Sequence, residues 1–344
     1  MAGQGRRGAA RVAVITGGSA GIGLATAQLF ARRGWSVAVL ARGAERLAEA
    51  EALLAREGGR VLAIPADVAD AGAVEAAAER IEGELGPIRA WINNAMTTIV
   101  SPADRVTPEE YRSVTGATYL GTVHGTLAAL RRMKPRDRGV IVQVSSGLAI
   151  RAAPLQAPYC AAKFAVSGFT DSLRSELLRE NSGVALSVVY LPAVNTPQFG
   201  WTRTRTGHGQ RAPDPVFDPR LCAEAIHHAV ERPTREVWVG RTSVLMAVAQ
   251  ALLPSYADRK AAESGADMVE DEPRPDRRGN LDGPAPGRAR IDGEAGERVK
   301  TTRSEFWTSR ERDALVLGLA GMALLGTGLA ARALRGPLRL KGRS

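Results

Sequence analysis

Two cysteines and four histidines in 344 residues leave little material for disulfide or metal chemistry. Cys160 and Cys222 cannot build a disulfide framework or a four-cysteine zinc site, and histidines at 124, 208, 227 and 228 form no cluster. A reducing compartment and no structural metal are therefore expected. Aromatic residues are only 5%, and no basic run is interleaved with them, which argues against a surface that stacks single-stranded nucleic acid. The net charge of +10 suggests a polyanionic partner until it is located. Arg6, Arg7 and Arg11 near the start, with Arg332, Arg335, Arg339, Lys341 and Arg343 at the end, carry eight of the ten charges. The body is almost neutral, and no nucleic-acid partner is expected. The apolar run Val12-Ala13-Val14-Ile15 is too short for the core of a signal peptide.

What is present is a strongly patterned α/β chain. Hydrophobic residues make up 44%, enough to bury a sizeable core and to exclude a wholly disordered protein. Apolar runs at 11–15, 36–40, 61–64, 90–92, 140–144, 185–190 and 236–239 read as buried strands; helical patterns at 24–33, 71–84, 108–133, 158–179 and 220–231 lie among them. Strands separated by helices of ten residues or more imply a doubly wound parallel sheet with helices on both faces. The catalytic domain is expected over residues 1–263, with a helical extension from about 241. Residues 264–303 are rich in Gly, Pro, Asp, Glu and Arg with few large apolar side chains, which predicts a flexible linker. Within 304–344, residues 314–331 carry no charge and precede a basic tail. As a helix they would measure about 27 Å against the ~30 Å of a bilayer core. A single-pass C-terminal anchor, contacting lipid with Phe306 and Trp307 in the interfacial belt, is the expectation; a buried or homo-oligomer-forming helix is the alternative. Lys and Arg number five on each side of that stretch, so the positive-inside rule is tied.

The first chemical motif is Thr16-Gly17-Gly18-Ser19-Ala20-Gly21-Ile22-Gly23, between the first strand and the first helix. Glycines there permit a tight turn and close approach of a pyrophosphate, and the helix N-terminus offers free N–H groups and partial positive charge. Arg42 stands nineteen residues after Gly23, at the end of the second strand. A carboxylate here reads the ribose 2′-hydroxyl of NAD, whereas an arginine accommodates the 2′-phosphate of NADP. Arg42 points to NADP, with an ordinary solvated arginine as the competing reading and Glu45 close by.

The second motif is Tyr159-Cys160-Ala161-Ala162-Lys163, at the start of a helix that Pro158 can open. Residues four apart share a helix face, so the lysine can sit beside the phenol and favour its ionised form. With five lysines and five tyrosines in the chain, such a pair arises by chance roughly 0.07 times. Ser146, thirteen residues before Tyr159, ends a strand at the ligand-facing edge of the sheet; Ser145 is its competitor.

Together these residues resemble the short-chain dehydrogenase/reductase family, in the branch that combines TGxxxGxG with YxxxK. The resemblance spans roughly residues 10–240 and includes Asp67-Val68 after the third strand and Asn93-Asn94-Ala95 after the fourth. It implies a Rossmann-type fold with Gly17, Ser19, Gly21, Ile22, Gly23, Arg42, Asp67, Val68, Asn93, Val194 and Thr196 around an NADP(H) cofactor. It also implies that Tyr159 is the acid/base, that Lys163 holds the nicotinamide ribose and lowers the tyrosine pKa, and that Ser146 orients a substrate carbonyl. Three departures stand out: Met96 replaces the glycine that usually closes Asn-Asn-Ala-Gly, Thr118 falls on the asparagine of the catalytic tetrad, and Leu191-Pro192 replaces Pro-Gly. Phe199, Trp201 and Phe217 fall in the region that forms a substrate cover in the family, and suggest an apolar substrate.

The resulting expectation is an NADP(H)-dependent oxidoreductase moving hydride between nicotinamide and a small-molecule carbonyl or alcohol. It would sit on the cytoplasmic side of a membrane, or in the cytoplasm if the helix does not insert. The alternative is a catalytically weak, membrane-tethered NADPH-binding scaffold or redox sensor.

Overall fold

In the computed structural model, which describes residues 11–301, 306–314 and 317–318, the chain opens with β1 (Val12–Thr16), α1 (Gly21–Arg32) and β2 (Ser36–Ala41). There follow α2 (Ala44–Ala55), β3 (Val61–Pro65), α3 (Ala71–Leu85) and β4 (Ile88–Asn93). Next come α4 (Pro108–Thr115), a π-helical turn (Gly116–Leu120), α5 (Gly121–Met133), β5 (Gly139–Ser146), α6 (Ala157–Arg179) and β6 (Val184–Leu191). After an irregular loop come α7 (Pro219–Glu231), β7 (Glu236–Val239), α8 (Arg241–Leu252), α9 (Pro254–Ser264) and the late strand β8 (Phe306–Thr308).

The main sheet has the order β8-β7-β6-β5-β4-β1-β2-β3, parallel throughout except for β8. β1 is buried at every position because both faces of the sheet are covered, so the strands read as apolar runs and not as alternations. One face packs Phe30, Leu47 and Ile226 from α1, α2 and α7; the other packs Val74, Met133 and Leu177 from α3, α5 and α6. Strand order reverses at β1, which lies between β2 and β4, and this opens a crevice beyond the carboxyl ends of the strands. The expected doubly wound architecture is therefore present.

Two details depart from the sequence reading. Helix α2 fell in a stretch left without an element, although a parallel β2–β3 step requires a crossover. The expected helical stretch 108–133 is interrupted by the π-helical turn Gly116–Leu120, after a start fixed by a Thr107–Glu110 capping box.

The larger surprise is residues 264–303. In place of a flexible linker, its described residues, 264–301, have a defined course. Val269–Pro273 pairs antiparallel with His208–Gln210, and Val299–Lys300 pairs parallel with Val216–Phe217. The physical reason is backbone hydrogen bonding: Gly- and Pro-rich chain with little apolar surface is held by side chains of the body that reach its free carbonyls. Phe306 and Trp307, expected in an interfacial belt, stand in strand β8. β8 lies on the sheet edge with Trp307 opposite Trp238, and the Phe306 ring is 5.3 Å from that of His228. Of the stretch 314–331, all but Ala314, Leu317 and Gly318 lie outside the described residues. Among the described residues no helix is long and apolar enough to cross a membrane.

Candidate active site

The crevice is bounded first by the turn after β1. Thr16 Oγ1 accepts from the backbone N–H groups of Asn94 and Ala95 at 2.9 and 3.0 Å, locking the end of β4 to the end of β1. Gly21 has φ +54, and a Cβ on Gly23 would stand 2.2 Å from the carbonyl oxygen of Gly17, so the turn closes backbone against backbone. Helix α1 starts behind Ala20 with no side-chain cap and no acidic residue in its first turn. Its positive end thus has no carboxylate of its own, which suits a pyrophosphate. Gly17, Ser19, Gly21 and Ile22 line a cavity of about 1000 Å³. Its far walls include Leu148, Phe199, Met246 and Tyr256.

Tyr159 and Lys163 line the same cavity from the first turns of α6, where Pro158 occupies the opening turn. Both are buried, and the Lys163 ammonium lies 5.6 Å from the centre of the Tyr159 ring while donating to the carbonyl of Val144 at 2.8 Å. Ser146, the last residue of β5, lines the cavity beside Tyr159, and its Oγ accepts from Leu148 N–H at 3.1 Å. Ser145 lines the same cavity, and its buried hydroxyl makes no hydrogen bond. Burial pushes the Tyr159 phenol above its ordinary value, with Ser146 opposing that shift. Burial also pushes Lys163 down to about 8. The expected lowering of the tyrosine by Lys163 is not among the influences on the phenol, whose shift is set chiefly by desolvation.

Val194, Thr196, Asp67, Val68 and Met96 all line the cavity, as does Arg42. Four expected residues do not: Gly23, closed against the Gly17 carbonyl, Phe217, buried in the core under the sheet, and Asn93 and Thr118. Asn93 is buried behind the crevice, donating to Thr126 Oγ1 at 3.0 Å and Gln143 Oε1 at 2.9 Å and accepting from the Trp91 indole at 2.9 Å. β4 alternates its faces, so Asn93 points into the core and the next residues, Asn94 and Ala95, meet the cavity. Thr118 is fully buried, with Oγ1 donating to the Thr97 carbonyl at 2.9 Å and accepting from the Thr97 N–H at 3.1 Å. A hydroxyl committed in both directions has little left for a proton relay, and its neighbour Ala117 faces the cavity instead.

Sequence reasoning missed the residues that close the cofactor end. Arg42 donates from both terminal nitrogens to the carbonyls of Asn280, Leu281 and Gly283 at 2.6–3.3 Å. Arg46 binds the carbonyls of Ala285, Pro286 and Gly287 and lies 4.2 Å from the centre of the Trp201 ring. Trp201, expected over the substrate, therefore also borders the Arg42 end. Arg46 stands four residues after Arg42 and one turn into α2, a spacing visible in the sequence; its partners more than 230 residues away were not.

The family model for short chain dehydrogenases matches residues 11–206. An uncharacterized oxidoreductase of Bacillus subtilis, YxnA, is 32% identical over 254 residues, covering 72% of this chain and 70% of its own. A fatty acyl-CoA reductase of Acinetobacter baylyi is 30% identical, covering 65% of this chain and 75% of its own. Among solved structures, an alcohol dehydrogenase from the archaeon Thermococcus sibiricus complexed with 5-hydroxy-NADP superimposes with a TM-score of 0.59 at 25% identity, over 67% of this chain and 95% of that one. With a parallel sheet reversing at β1, a glycine turn at its end and a Tyr159–Lys163 pair facing the same cavity, the chain belongs to the short-chain dehydrogenase family and is an oxidoreductase of the hydride-transfer type.

Proposed function

We propose that the protein is an NADP(H)-dependent carbonyl reductase or alcohol dehydrogenase acting on an apolar substrate. The observation that carries this reading is Tyr159, beside Ser146 and one helical turn from Lys163, on the wall of the cavity that begins at the Gly17–Gly23 turn. When bound, the nicotinamide supplies or accepts the hydride. The Ser146 hydroxyl holds the substrate oxygen, and Tyr159 gives it the proton as the carbonyl carbon takes the hydride, so a ketone or aldehyde becomes an alcohol. A phenol held above its ordinary pKa by burial is neutral at physiological pH and so has that proton to give. Lys163 binds the nicotinamide ribose with its ammonium. Arg42 at the end of β2 supports a cofactor with a 2′-phosphate. Leu148, Phe199 and Met246 support an apolar substrate, in keeping with a relative named as a fatty acyl-CoA reductase.

Titration calorimetry tests the cofactor. NADPH should bind more tightly than NADH, and Arg42→Asp should narrow or reverse the gap; equal affinities in the unmodified protein would defeat the NADP assignment. A screen of ketones, aldehydes and a lipid extract with NADPH, followed by absorbance and product analysis, tests the chemistry. Binding of NADPH with no consumption by any carbonyl would favour a scaffold or sensor, the reading that the committed hydroxyl of Thr118 supports.

A further inference from the structure

Residues 280–295 run as a strap along the edge of the crevice, and two of the anchors they use, Arg42 and the Gly21 N–H, are donors that a dinucleotide phosphate needs. Pro284 and Pro286 lack N–H groups and hold the chain extended, leaving its carbonyl oxygens without partners of their own. The body takes them up in order. Arg42 binds the carbonyls of Asn280, Leu281 and Gly283, and Arg46 those of the next three residues. The backbone N–H of Gly21, at the anion-binding end of α1, donates to the Arg290 carbonyl at 2.9 Å. Beyond this the strap is pinned away from the crevice by Asp292 on Arg220 at 2.7 and 2.8 Å and by Ala295 N–H on Asn195 Oδ1 at 3.0 Å.

Resting on the NADP(H) reading above, we propose that this strap is an internal competitor for the cofactor's phosphates, so that the cofactor and the docked strap exclude one another at Arg42 and Gly21. The acceptors on the strap are neutral carbonyls. A 2′-phosphate and a pyrophosphate offer charged oxygens to the same donors, and charge-assisted hydrogen bonds are roughly twice as strong as neutral ones. Cofactor binding therefore lifts the strap, and its apparent affinity is reduced by the fraction of molecules in which the strap is already off. The displacement reaches the substrate side as well. Asn280 N–H donates to the Trp201 carbonyl at 2.9 Å, Asn280 Nδ2 to Gln198 at 3.0 Å, and Arg277 to the carbonyls of Gly200 and Phe199. Lifting the strap frees the 198–201 segment that borders the cavity, which couples arrival of the cofactor to access for the substrate.

Hydrogen exchange of the full-length protein with and without NADPH tests this directly. NADPH should raise exchange at the strap amides that are bonded to the body, those of Asn280, Ala289, Gly293 and Ala295. Unchanged or slower exchange there, with NADPH demonstrably bound, would overturn the proposal and make the strap a cover over the cofactor. Asp292→Ala, which touches no residue of the crevice, should weaken docking and tighten NADPH binding by about threefold or more in calorimetry. Identical or weaker binding in a variant whose thermal unfolding is unaltered counts against competition. Leu281→Ser, which removes a buried anchor of the strap, should act in the same direction. Failure of the unmodified protein and both variants to bind NADPH at all would instead defeat the functional reading on which the strap proposal rests.

Discussion

In the sheet body, Ile15, Phe30, Trp91 and Ile92 are sealed from solvent between two layers of helices, whereas of the strap's apolar residues only Leu281, Ala285 and Ala295 are buried, with Ala289 and Ile291 laid partly against the body. The strap holds on through guanidinium-to-carbonyl hydrogen bonds and exposed ion pairs such as Arg220–Asp292. Burial of apolar surface contributes roughly 25 cal/mol per Å² and is lost only when the fold opens, while an exposed ion pair contributes about 0–1 kcal/mol and is screened by salt. One chain thus carries a region that cannot leave without unfolding and a region that can. Arg42 and Arg46 belong to the first and hold the second.

Substitutions should separate the two regimes. The largest effect is expected in the body: Phe30→Ala empties a site packed edge-on against Trp35 at 5.1 Å and His227 at 4.9 Å. It should cost about 3–5 kcal/mol in denaturant unfolding, and a loss below about 1 kcal/mol would mean that the layer repacks. Next in size, Tyr159→Phe keeps the ring and deletes the hydroxyl. Turnover should fall by a factor on the order of 10² or more while NADPH binding survives, and an unaltered rate would remove Tyr159 from the proton step.

A smaller effect is expected from pH. Because burial holds Lys163 down to about 8, its ammonium is present below that value and lost above it. Reductive kcat/KM should therefore decline with a midpoint near pH 8, and a profile flat to pH 10 would show that the charge on Lys163 plays no part. The smallest effect is expected from Asp292→Ala on global stability. The pair is half exposed, so unfolding should shift by less than about 1 kcal/mol even as the strap loosens. A shift as large as that of Phe30→Ala would erase the distinction between body and strap.

Much of the fold was legible because its signals are local. Gly34, with φ +76, ends α1 as the pattern requires, and the apolar runs that became β1 and β7 needed no long-range information. Tyr159 and Lys163 were legible for the same reason, since a spacing of four on a helix places them on one face. Asn93 and Thr118 were not. Both were assigned to the crevice by likeness to a pattern, yet Asn93 is drawn into a buried network with Gln143 and Thr126, and Thr118 is consumed by the backbone of Thr97. Which polar group a side chain satisfies depends on neighbours 21 to 50 residues away.

The alternation of strand and helix, the glycine turn ahead of α1 and the phenol–ammonium pair on α6 are legible from the chain alone, each being a matter of periodicity or spacing within a few residues. It took the folded packing to turn Asn93 into the core, to let burial set the direction of the phenol's pKa shift, and to return a Gly/Pro-rich stretch to Arg42, Arg46 and Gly21. The reason is that a carbonyl oxygen carries no identity in the sequence: every residue has one, and which guanidinium it meets is settled when the sheet brings the end of β2 and residues 280–287 to the same edge.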